Sequence, residues 1–146
     1  MKTLKQIDLL LKSMTAKDLI LLMVDSLQNP ITDKVNMETY GILQDGICFG
    51  CAATNTLYNI CDITNEYVIN KIHHQKLSLI YDKDKTILKL EFAINALRLG
   101  DIPSYNKSIG KKYPNLIIKE NRVLPILETY NYLDNLQHYI NFANTL

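Results

Sequence analysis

The sequence has no tryptophan, and only three cysteines, five glycines and four prolines in 146 residues. An odd cysteine count leaves no complete disulfide framework within one chain, and reduced thiols in a cytoplasmic protein are the simplest reading. No apolar run approaches the roughly 18 residues of a membrane span, and LILLMV at 19–24 reads as a buried helix segment. The opening MKTLKQIDLLLKSM sets lysines on both sides of a very short apolar run, with no small-residue cleavage site, so it does not read as a signal peptide. No phosphate-cradling glycine loop, dinucleotide fingerprint or Gly-x-Ser-x-Gly elbow is present, and no cofactor is expected. An excess of one charge is missing too. Sixteen basic residues face fifteen acidic ones, for a net charge of +1. Lys111-Lys112 is the only adjacent basic pair. That balance carries no footprint of a nucleic-acid partner or an anionic membrane.

What remains is a chain with enough apolar material to fold, 47% of its residues. Its length suits one domain over residues 1–146. Periodicity predicts an all-α fold of about six or seven helices packed around a central helix near residues 47–61. In that stretch Phe49, Ala52 or Ala53, Leu57 and Ile60 recur at helical spacing. Small residues there (Gly46, Gly50, Ala53, Thr54) would let a neighbouring backbone approach closely. Asn55 and Asn59 are polar and one turn apart. Buried, each amide needs a partner, and a neighbouring loop is the natural one.

Around this helix, Thr3 and Thr15 are placed to cap helices over about 4–13 and 16–27, with Asp18 in the second one's first turn. Met37, Tyr40 and Leu43 predict a short helix from Asp33 to Gly46. Thr64-Asn65-Glu66 opens another that ends near His73-His74. Ile87, Leu90, Ile94 and Leu97 give one face of a helix over 84–99, with Gly100 as its C-terminal glycine. The alternation in LSLIY and ILKLEF leaves a competing α+β reading, with a small hairpin at 77–92. Residues 101–124 read as a long irregular loop with one short helix near 104–109. Leu133, Leu136, Ile140 and Ala143 predict a terminal helix.

Three sets of residues carry functional readings. Cys51 follows a glycine near a helix start, where the dipole favours a thiolate, and is the one candidate nucleophile. Cys48, Cys51, Cys61, His73 and His74 are the only metal-ligand candidates. Their spacing matches no common zinc arrangement, and no metal is expected. The 98–114 stretch offers Arg98, Asp101, Tyr105, Asn106 and Tyr113 as a contact surface, because aromatic and adaptable polar side chains together make interfaces. With no chemistry evident, the best-supported expectation is a non-enzymatic protein–protein interaction module of the inhibitor, immunity or adaptor type. It would bind another protein or itself, and neither nucleic acid nor membrane. A small cysteine-dependent enzyme using Cys51 and a homo-oligomeric or self-assembling protein are the alternatives.

Overall fold

Thr3 and Thr15 decide where the chain first becomes helical. Each closes a capping box. The Thr3 hydroxyl accepts from the Gln6 amide at 3.2 Å while the Gln6 side chain accepts from the Thr3 amide at 2.8 Å. Thr15 and Asp18 repeat the exchange. Such caps are worth about 1 kcal/mol each. The computed structural model, which describes all of residues 1–146, accordingly shows α1 over Leu4–Ser13 and α2 over Ala16–Gln28.

The next stretch departs from the all-α expectation. No helix forms between Asp33 and Gly46. Instead β1 (Lys34–Val35), β2 (Ile42–Gln44) and β3 (Ile47–Gly50) make a small sheet with β3 in the middle. The cause is the turn at Asp45-Gly46. Both residues have positive φ, 52° and 76°. Two such residues in succession form the tight turn that joins antiparallel strands, and they pair Gln44 with Ile47. The predicted central helix therefore loses its first turn to β3. It begins at Ala52, with Cys51 extended as the residue before it.

From there the central helix is as the small-residue pattern indicated. Of the nine residues of α3 (Ala52–Ile60), all but Asn59 are buried. The helix packs between α2 and the later helix α6 (Lys85–Arg98). Asn55, fully buried, binds the loop that follows α2. Its Oδ1 accepts from the amides of Ile31 at 2.9 Å and Thr32 at 3.0 Å, and its Nδ2 donates to Thr32 Oγ1 at 3.0 Å. Asn59 donates to Ser26 Oγ on α2 at 2.8 Å.

The remaining elements are α4 (Glu66–Ile72), α5 (Leu77–Ile80), α7 (Ile102–Ile109), a 3-10 turn at Pro114–Leu116 and α8 (Tyr132–Ala143). Helices at 77–80 and 85–98 replace the hairpin alternative at 77–92. Asp84 settles the choice by accepting from the Thr86 and Ile87 amides, which starts α6. The result is a mostly helical fold with a small sheet, and one cluster of 41 buried apolar residues runs through it. No helix is long and apolar enough to cross a membrane. Ala53 has no exposed surface, so Ala53→Leu should lower the unfolding free energy by about 1–3 kcal/mol, the usual cost of overpacking a filled core. Urea denaturation of the variant beside the wild type measures it.

Candidate functional site

The candidate chemistry of the central stretch does not assemble. Cys48, Cys51 and Cys61 are all free and buried. The neighbour of Cys51 Sγ is the Thr54 hydroxyl at 3.4 Å, and no histidine or carboxylate hydrogen-bonds to it. The cysteine that lines a cavity is Cys48, beside Asp33, Glu66 and Asn70 in a space of about 490 Å³. Burial and then the nearby Asp33 carboxylate push its thiol pKa up, away from nucleophilic character. Burial pushes the Cys61 thiol up to about 11. His73 is buried, with Nδ1 against the Asn70 carbonyl at 2.9 Å, and His74 is exposed. No three of the histidine, cysteine and acidic side chains come together as a metal-holding group, so the five candidate ligands do not form one site.

The predicted contact residues of the 98–114 stretch are placed differently from the expectation, and the placement is informative. Residues 102–109 are helical, and the tyrosines that were to face a partner face inward. Tyr105 is fully buried and donates to the Leu116 carbonyl at 2.7 Å. Tyr113 is buried and donates to Asp8 Oδ1 at 2.7 Å. Asp101 caps α7 through the Ser104 amide and hydroxyl, which also hold its carboxyl below the ordinary range. Asn106 satisfies both backbone polar groups of one residue: its Nδ2 donates to the Ile118 carbonyl at 2.8 Å and its Oδ1 accepts from the Ile118 amide at 2.9 Å. Arg98 donates to the Leu127 carbonyl at 3.1 Å, and the Leu127 amide returns a bond to the Arg98 carbonyl at 2.8 Å. These residues are fasteners. Tyr105, Asn106 and Arg98 tie down chain that is almost without regular structure of its own, because backbone polar groups that leave helix and sheet still need partners.

What three of them hold, Tyr105, Asn106 and Arg98, is the segment from Leu116 to Leu127, a strap without helix or strand beyond its first turn. Two more contacts secure it. The Tyr139 hydroxyl donates to the Pro125 carbonyl at 2.7 Å. Gly100, at φ 70°, lies so close to the strap that a Cβ there would meet the Leu124 carbonyl oxygen at 2.4 Å. Leu116, Ile118, Leu124 and Leu127 point inward and are buried. Four large apolar residues between and just beyond them do not. Val123 is 95% exposed, Tyr130 85%, Leu133 62% and Ile126 46%. Leu133 corrects the predicted face of the terminal helix. The buried stripe of α8 is Leu136, Tyr139, Phe142 and Ala143, and Leu133 lies off it. The sequence signal for this surface was an apolar Val123 and Ile126 in a stretch with no helical or strand period.

No family model, curated protein or solved structure matches this chain. The geometry is therefore the whole basis for a functional reading.

The carboxylate that receives the Tyr113 hydrogen bond titrates. The hydrogen bond from Tyr113, with Lys12 and Lys112 alongside, holds the Asp8 carboxyl at about 2. A depressed folded-state value adds stability above the carboxyl's ordinary range, and that stability is lost as pH falls through the folded-state value. Asp8→Asn should lower the melting temperature at neutral pH. The gap from wild type should hold down to about pH 4 and close toward pH 2, as a thermal-melt series across that range would show.

Proposed function

We propose that the protein is a non-enzymatic, cytoplasmic protein–protein interaction module whose contact surface is the strap and the start of α8. The observation that carries this reading is the pairing of secure anchoring with apolar exposure. The strap is tied to α6, α7 and α8 by the half-buried Arg98 and Asn106 and the buried Tyr139, yet the strap and the start of α8 present Val123, Ile126, Tyr130 and Leu133 to solvent. Large apolar residues gathered on a surface are the ordinary mark of a protein contact. A surface already held in place loses little conformational freedom on binding, which favours affinity. Three free, buried thiols fit a reducing compartment.

The partner is another protein or a second copy of this one. Cys51 supports no competing enzyme reading, since its sulfur has a threonine hydroxyl for a neighbour and no base.

A variant carrying Val123→Ser, Tyr130→Ser and Leu133→Ser separates contact from stability. All three side chains are mostly exposed, so each change should shift the unfolding free energy by no more than about 0.5 kcal/mol. Light scattering of the purified protein reads self-association, and affinity capture from the native host reads a foreign partner. The expected result is a near-wild-type melting temperature with the wild type's self-association or captured partner lost. Association that persists in the variant would contradict the proposal.

A further inference from the structure

The even balance of charge along the chain is not even in space. Four lysines from two distant stretches, Lys85 and Lys89 on α6 and Lys111 and Lys112 after α7, line one cavity of about 220 Å³. Its floor is Leu90, Ile109 and the buried Tyr113, and Thr86 stands at its edge. No carboxylate lines it. We propose that this cavity binds a compact polyanion carrying two or more phosphoryl groups.

Three features support the assignment. First, the lysines are largely unneutralised. The ion pairs of the protein involve Lys12, Lys76, Lys112 and Arg122, so Lys85, Lys89 and Lys111 have no acidic partner. Lys112 shares Asp8 with Lys12, at 3.4 Å against 2.9 Å. Secondly, the placement works against local stability. Lys85 occupies the first turn of α6, where the helix dipole disfavours a cation, and that turn has no acidic residue. Lys89 lies one turn on, the like-charge spacing that repels along a helix. Thirdly, the backbone takes an unusual conformation to bring the second pair of lysines in. Gly110 ends α7 at φ 69° and ψ −149°, a region that glycine alone occupies readily, and a Cβ there would touch nothing. Conformation, not space, requires glycine at this point, and the turn it makes delivers Lys111-Lys112 to the side of α6.

The shape selects among anions. The cavity has room for a few phosphoryl groups, and its one aromatic ring, Tyr113, is only 4% exposed, which leaves no free face for a nucleobase to stack on. Several ammonium groups around one space suit an ion of high charge density, since each acts as a strongly hydrated point charge. The site therefore favours di- and triphosphate groups over a single sulfate, independently of the strap.

Titration calorimetry of the full chain with sodium pyrophosphate and with sodium tripolyphosphate tests this, with sulfate at matched ionic strength as the control. The expected result is saturable one-to-one binding, at least about tenfold tighter than sulfate, and weakened about tenfold or more in Lys89→Gln/Lys111→Gln. The Lys89→Arg/Lys111→Arg variant, which keeps the charge, should retain most of the affinity. If the glutamine variant melts lower, Lys85→Gln provides the same comparison. Affinity no better than for sulfate, or unchanged by removing the lysine charges, would overturn the proposal. So would tight binding of a single-stranded oligonucleotide without binding of pyrophosphate, which would mark an extended backbone-binding surface instead.

Discussion

Two asparagine side chains make this arrangement of helices possible. Chain that leaves a helix must still satisfy its amides and carbonyls when it runs against a core, and here there is little sheet to do so. Asn55 does it for Ile31 and Thr32, which brings the loop after α2 onto the central helix. Asn106 does it for Ile118, which brings the strap onto α7. A carboxamide suits both places because it donates and accepts at once, so it can take the place of a neighbouring strand for one residue. Tyr105, Tyr139 and Arg98 extend the same arrangement to Leu116, Pro125 and Leu127.

The local signals in the sequence were reliable where local physics decides the structure. Thr3, Thr15, Asn65 and Gly100 stand at the helix boundaries where capping chemistry puts them. The helix over 85–98 won over the hairpin because Asp84 caps it and its apolar face is wide. The small sheet was legible only in Asp45-Gly46, a pair that also suits the end of a helix. Nothing nearby in sequence shows that β1 pairs with β3 in parallel, since that contact joins Lys34 to Phe49 across the β2 turn. The contact residues followed the same rule. Tyr105, Asn106, Tyr113 and Arg98 read as a contact surface because aromatic and adaptable polar side chains in an irregular stretch are the makings of an interface. What they meet is this chain, at sequence separations no local pattern encodes.

Near α3 the Asn55 side chain and the Thr54 hydroxyl hold backbone, the buried Thr56 and Tyr58 hydroxyls have no hydrogen-bond partner, and the three cysteines are free and buried. The two proposed surfaces, the exposed apolar residues of the strap and the lysine cavity, draw on different physics. One offers apolar area on an anchored segment, and the other concentrated positive charge. A contact module with a charged-ligand site is consistent with both.

Side chains, joined by one backbone pair at Leu127, fix the strap in place, and native-state hydrogen exchange tests this residue by residue. The Ile118 and Leu127 amides are bonded to Asn106 Oδ1 and to the Arg98 carbonyl, while the amides from Lys119 to Val123 have no partner within the protein. Ile118 and Leu127 should exchange at least about a hundredfold more slowly than the amides from 119 to 123 between them. A strap whose amides all exchange at one unprotected rate would contradict it.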